Sequence, residues 1–300
     1  MAKHVSKCVF ANIQISTNER FEAMTESLAR LERCDFEKWY VNIRGLLKEK
    51  SARHLKEVLG SQLILFNVDS GRGWKKDTIE IFEHVKEDYL FYWIEDHFLQ
   101  ITPQSLNMIF ETMDNQSVDY LQYSFFGLGA HHEEFSLIEE RTELDAFDVI
   151  HYTSTANNLR QTRAIELYGT FAYNISLVGI FSHRTFNMVL KDQPYFRLRR
   201  WPKNTPFDFE QNGAEIWMLP LKIGVPKIEI SCSIDDDNQV PGSSLSSRGL
   251  HILKTRREDL LKKENRITTH PHHIDMLKHF FVIPGLRPLY NLLRRLSYHL

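Results

Sequence analysis

Six apolar and aromatic residues in a row, Tyr89-Leu90-Phe91-Tyr92-Trp93-Ile94, run straight into Glu95-Asp96-His97. A run of this length with no polar interruption predicts a strand buried on both faces, as found inside a parallel sheet. In open α/β sheets, ligands bind at the carboxyl ends of such strands. Two acids and an imidazole placed there would make a seat for a divalent cation, which could hold the diphosphate of a nucleotide. A plain solvated loop is the alternative for the same three residues.

The stretches before this run alternate in the same way. Cys8 to Ile15 predicts a strand ending in Ser16-Thr17-Asn18-Glu19-Arg20, a cluster suited to a turn and a helix cap. Phe21, Met24, Leu28 and Leu31 recur at helical spacing. Phe36 to Ile43 predicts a second strand, residues 46–59 a surface helix, and Gln62 to Val68 a third strand. Asp69-Ser70-Gly71-Arg72-Gly73 is a loop by composition, followed by a helix from Trp74 to Lys86. After Thr102-Pro103 a further helix runs to Met113, because proline suits a helix's first turn. Strands and helices in this order predict an α/β fold with a mostly parallel sheet flanked by helices.

With 300 residues, 42% of them hydrophobic, the chain can bury a sizeable core. A net charge of −2 argues against a dedicated nucleic-acid binder. Three cysteines without a CxxC spacing read as thiols in a reducing compartment. No segment approaches the roughly 20 apolar residues that span a bilayer. The simplest placement is cytoplasmic, with the inner face of the membrane as a peripheral alternative. For that alternative, residues 280–300 carry Leu289, Leu292, Leu293, Leu296 and Leu300 as an apolar stripe beside Arg287, Arg294, Arg295 and His299. A basic amphipathic helix of this kind can lie on an anionic membrane; docking on the core or a homodimer contact explains it equally well.

The order of motifs resembles the nucleotide-sugar-binding half of GT-A-fold glycosyltransferases, closest to the large inverting family 2-type enzymes. The stretches that carry the likeness are Ser16 to Arg20 after the first strand, Asn67 to Gly73 after the third, Asp88 to His97, and Pro103-Gln104-Ser105-Leu106. The likeness covers residues 8–113. It returns more faintly from Gly179 to Gly224, as a strand and turn through Arg184, an acidic segment Phe207-Asp208-Phe209-Glu210, and a helix from Glu215 ending at Gly224. It implies a GT-A-like Rossmann-type domain over residues 1–250, with 8–113 the nucleotide-sugar half and 114–250 the acceptor half. Residues 251–300 would form a basic helical extension.

The resemblance also implies roles. Such an enzyme moves a sugar from a nucleotide-diphosphate sugar to a growing glycan or lipid-linked acceptor, with inversion and with Mn²⁺ or Mg²⁺. Asp96 and His97 stand where the family's metal-binding acids would, with His97 in place of the last one, and Glu95 or Asp96 would meet the ribose or the metal through water. Thr17 and Asn18 would meet the base or ribose, and Arg72 and Lys76 the phosphates. Arg44 stands where the family carries a base-reading acid. The general base that deprotonates the acceptor would come from Glu215, Glu210 or Asp208. Glu215 in Gly213-Ala214-Glu215 best fits the family's acceptor-side element, with Ala214 in place of one acid.

Two other classes stay open. A nucleotidyltransferase shares the sheet and the metal-bound phosphate but would carry a glycine-rich loop after the first strand, and Ser16 to Arg20 has no glycine. A non-catalytic carbohydrate-binding or assembly protein could keep the fold without the missing acids. His131-His132-Glu133-Glu134 lacks the spacing of a helical metal site and reads as a polar loop, and residues 139–166, rich in charge, as acceptor-binding helices.

Overall fold

The computed structural model describes residues 5–71, 73–123, 141–152, 177–191, 206 and 221–233. Four parallel strands form one half of a nine-stranded sheet: β1 (Lys7–Gln14), β2 (Lys38–Arg44), β3 (Leu63–Phe66) and β4 (Tyr89–Tyr92). With β5 (His97–Leu99), β6 (Tyr120–Gln122), β7 (Arg141–Glu143), β8 (Phe147–Tyr152), β9 (Gly179–Ser182), β10 (Leu221–Pro226) and β11 (Ser231–Ser233), the described strands form two sheets. The large sheet has the order β3-β2-β1-β4-β9-β6-β10-β8-β7. Beyond β4 the pairing turns mixed: β9 lies antiparallel to both β4 and β6, β10 is parallel to β6, and β8 and β7 are antiparallel. The parallel character expected from sequence therefore holds for the β3-β2-β1-β4 half.

Strand alternation explains the layers. Val9, Ala11 and Ile13 of β1 and Trp39, Val41 and Ile43 of β2 share one core. That core also holds Met24 and Leu28 of α1 (Asn18–Leu31), Leu55 of α2 (Lys48–Leu59), and Leu106 and Phe110 of α4 (Pro103–Gln116). The opposite faces, Cys8 and Phe10 with Tyr40, Leu90 and Tyr92, pack against α3 (Trp74–Phe82) and α5 (His183–Lys191) through Ile81, Phe82, Phe186 and Val189. Helices thus cover both faces of the parallel half, and its strands read as near-continuous apolar runs for that reason. Local chemistry sets the helix starts. Thr17 Oγ1 accepts from Arg20 N at 3.3 Å, and Thr102 Oγ1 accepts from Ser105 N at 3.1 Å ahead of Pro103.

Four expectations are corrected. The helix from Trp74 stops at Phe82 rather than Lys86, though Val85 still reaches the core. Residues 141–152 form the β7–β8 pair instead of helix; Phe147, Val149 and Ile150 are buried there, and the rest of 139–166 lies outside the described residues. After β9 the chain enters α5 directly, with Ser182 Oγ accepting from Thr185 N at 3.2 Å, rather than a turn. The end of the supposed 215–224 helix is strand: Leu221, Ile223 and Val225 alternate into one core, and Gly224 pairs with Leu121 and Val149. A Cβ on Gly224 would come within 2.7 Å of Leu121 Cδ1, so this glycine sits at a close strand-to-strand contact and not at a helix end. Asp208, Glu210, Glu215, Arg72 and the tail 251–300 lie outside the described residues. No helix among the described residues is long and apolar enough to cross a membrane.

The core also makes a pH prediction. Burial pushes the Cys34 thiol from 9.0 up to about 11, with Lys7 pulling the other way. Burial, and then the neighbouring carboxylates, likewise raises Cys8, Tyr40 and Tyr89. Each group stays neutral in the folded chain at a pH where the unfolded chain has begun to ionise. Their stabilisation is complete below the ordinary thiol range and is lost as pH climbs through the folded values. The urea midpoint is expected to fall between about pH 8 and about pH 10.5; an unchanged midpoint would contradict this.

Candidate functional site

The carboxyl ends of β1, β2, β3 and β4 point the same way, and three contacts fix the loops that leave them. Ile15 N donates to Arg44 O at 2.8 Å, which carries the β1–β2 ladder one residue past the strand. Leu47 N donates back to Ile15 O at 2.9 Å. Between them Gly45 adopts φ +97°, and a Cβ there would meet Ile15 O at 2.5 Å and Ser16 Oγ at 2.6 Å. Only glycine allows two loops to approach this closely in this conformation.

Two asparagines inside otherwise apolar strands organise the third loop. Asn42, fully buried in β2, accepts from Val68 N at 2.9 Å and donates to Val68 O at 2.9 Å, so its amide acts as a strand partner for the segment after β3. It also donates to Asn12 Oδ1 at 3.0 Å. Asn12 in turn donates to Thr78 Oγ1 at 2.7 Å, and its carbonyl accepts from Trp74 Nε1 at 3.2 Å, which locks α3 onto the same face. A buried polar network with its partners satisfied fixes geometry.

Arg44 ends β2 rather than following it, and it stands opposite Gln14 of β1. By strand alternation it shares the α3 side with Asn42. Its Nε is shielded from solvent and has no hydrogen-bond partner among the described residues. Lys48 Nζ, at the start of α2, donates to Asn67 Oδ1 at 3.3 Å across the same edge. A guanidinium can only donate, so an unpartnered Nε at a strand end suits an acceptor brought by a ligand.

Past β4, Trp93 N continues the ladder to Phe10 O at 2.9 Å, and Trp93 Nε1 donates to Ser27 Oγ at 2.8 Å. The Ser27 hydroxyl donates to His97 O. Glu95, 3% exposed, is ion-paired with Arg20 of α1. Asp96 Oδ1 lies 3.1 Å from His97 Nδ1, and the His97 ring stands edge-on to Tyr123 at 5.7 Å.

His97 does not lie in the plain solvated loop that was the alternative reading of Glu95-Asp96-His97. It opens β5, a three-residue strand whose partner β11 is more than 100 residues away; His97 pairs with Ser233, Phe98 with Cys232 and Leu99 with Ser231. This ribbon buries His97 to 6% exposure. No group of three or more His, Cys, Asp or Glu side chains able to hold a metal occurs among the described residues. Glu95 is engaged by Arg20, and Asp96 and His97 engage each other. Among the described residues, Asp96 would supply a carboxylate toward Mn²⁺ or Mg²⁺, with His97 held against it.

Thr17, Asn18 and Arg44 therefore stand at one sheet edge with Glu95 and Asp96, joined across it by the Arg20–Glu95 pair. Thr17 is exposed and its oxygen caps α1; Asn18 is exposed in the first turn. Lys76 is exposed in the first turn of α3. Residues that sequence reading passed over are Asn12, Asn42, Gly45 and Asp77. The two asparagines carried a usable signal: each interrupts an apolar run, and Asn12 and Asn42 fall in register.

No family model matches the chain, and no curated protein matches it significantly. Among solved structures, S. aureus TarS 1-349 is similar at 15% identity and TM-score 0.43, over 78% of this chain and 61% of that one. Its complex with UDP-GlcNAc gives 14% identity and TM-score 0.42, over 76% and 58%. CMP:2-keto-3-deoxy-manno-octonic acid synthetase complexed with CTP gives 12% identity and TM-score 0.30, over 39% and 52%. The chain spans less than two thirds of the length of these proteins. Likenesses at such identities and TM-scores place no function on this chain.

Proposed function

We propose that the chain binds a nucleotide-diphosphate sugar at the carboxyl edge of β1–β4 and transfers the sugar to a glycan or lipid-linked acceptor. The observation that carries this is Arg44, a donor-only side chain at the end of a parallel strand, with its Nε buried and unpartnered. Thr17, Asn18, Glu95 and Asp96, which the family likeness picks out from sequence, follow β1 and β4 at the same carboxyl edge. The edge is also where an open α/β sheet offers its ligand crevice.

In this reading the rigid network beneath the edge holds Arg44, and Arg44 donates to an acceptor atom of the nucleotide. The capped start of α1 presents Thr17 and Asn18 to the nucleoside. Transfer moves the anomeric carbon from the β-phosphate oxygen to an acceptor hydroxyl. The bond to the leaving diphosphate breaks as the new glycosidic bond forms, and a general base takes the hydroxyl proton. Glu215, Glu210 and Asp208 remain the proposed sources of that base, and inversion follows from a single displacement of this kind.

Calorimetric titration of UDP, GDP, CMP and dTDP, with and without Mn²⁺, tests it on wild type and Arg44→Ala. One nucleotide is expected to bind the wild type, with affinity falling at least about tenfold in the variant, as expected when a charge-assisted hydrogen bond is lost. No binding by any of the four would overturn the proposal.

A further inference from the structure

The start of α3 carries a second orphaned group, opposite in character to Arg44. Asp77 is 1% exposed. Its Oδ1 accepts from the hydroxyl of Ser70, in the loop that follows β3, while its Oδ2 is buried with no hydrogen-bond partner among the described residues. A carboxylate only accepts, and a buried acceptor left unsatisfied is costly. Asp77 also lies in the first turn of α3, which starts at Gly73 (φ +98°) with no side-chain cap. An uncapped helix N-terminus ordinarily attracts an anion. Here the chain's own carboxylate already supplies that negative charge, and a phosphate placed beside it would be repelled.

Both orphans adjoin the loop after β3. Arg44 shares its strand face with Asn42, which bonds Val68 of that loop, and Asp77 accepts from Ser70 two residues further on. The carboxyl edge thus holds one unused donor and one unused acceptor among the described residues.

Resting on the nucleotide-sugar proposal, we infer that Asp77 reads a hydrogen-bond donor on the nucleoside, an N–H of the base or an O–H of the ribose. The diphosphate lies away from the N-terminus of α3, which removes Lys76 and the start of that helix from the phosphate contacts implied by sequence. Asp77 is a specificity-determining residue in this assignment.

The sign of one substitution separates the possibilities. Asp77→Asn keeps the shape and removes the charge. Affinity for the nucleoside diphosphate that wild type binds is expected to fall at least about tenfold, while affinity for inorganic pyrophosphate stays the same. Tighter binding of both probes would place the phosphates at α3 and overturn the inference. A lower Tm with unchanged affinity would make Asp77 structural and overturn it too. Comparing the 2′- and 3′-deoxy analogues names the source: an equal loss with all analogues assigns the base, and a loss confined to the ribonucleotide assigns the ribose hydroxyl. If Asp77→Asn does not fold, Ser70→Ala serves, since it frees the carboxylate from the loop; unchanged nucleotide affinity there overturns the inference. If wild type binds no nucleotide, the proposed function itself fails; if wild type binds and Asp77→Asn binds equally well, only this inference fails.

Discussion

Gly45→Ala is expected to destabilise the fold by about 3–5 kcal/mol and to weaken nucleotide binding in whatever protein still folds. Two independent costs combine. The φ of +97° lies in the region that side-chain-bearing residues rarely adopt, and holding one there costs about 1–3 kcal/mol. The new Cβ would also lie 2.5 Å from Ile15 O and 2.8 Å from Ile15 C. Those atoms are backbone, so no rotamer change relieves the overlap, and overpacking adds about 1–3 kcal/mol. Relief means parting the β1 and β2 loops, which breaks the contacts of Leu47 N to Ile15 O and Ile15 N to Arg44 O. That displaces Arg44, so affinity drops alongside stability. Urea unfolding with nucleotide titration measures both. A loss under about 1 kcal/mol would show that the two loops do not need this close approach.

Much of the parallel half was legible because its signal is local. Long apolar runs, the capping residues Thr17 and Thr102, and Pro103 each act within a few residues of where they stand. What was not legible depends on distant partners. β5 is three residues long and its partner β11 is more than 100 residues away, so sequence showed His97 as a cation contact or a loop residue and not as part of a strand. Gly224 looked like a helix terminus when motif order was used, although Leu221, Ile223 and Val225 alternate as a strand would. For the candidate site, sequence found the charged residues at strand ends but not the support beneath them. Asn12 and Asn42 are polar residues in apolar runs, and their meaning appears only when register sets them side by side. Asp77 drew no notice in the sequence, and only packing shows it to be buried with an oxygen left over.

Trp74→Ala is expected to cost about 4–8 kcal/mol, the largest effect of any side-chain truncation at this edge. Trp74 is fully buried at the first turn of α3. Removing a buried tryptophan side chain leaves a cavity worth about 3–5 kcal/mol. It also takes away the indole N–H that donates to Asn12 O at 3.2 Å, and an orphaned buried carbonyl adds about 1–3 kcal/mol. Trp74→Phe separates the two terms, because it retains most of the ring and loses only the donor; about 1–2 kcal/mol is expected for it. The functional consequence follows from position. Trp74 anchors the turn that carries Asp77, and Thr78 Oγ1 donates to Trp74 O at 2.6 Å while accepting from Asn12. Loosening that turn moves Asp77 against Arg44 without touching either side chain. Trp74→Phe should therefore lose nucleotide affinity by only a few-fold, since the turn keeps its packing, whereas Trp74→Ala, assayed where it is still folded, should lose at least about tenfold. Equal affinities in wild type and Trp74→Ala would mean that α3 does not hold the ligand-reading groups in place.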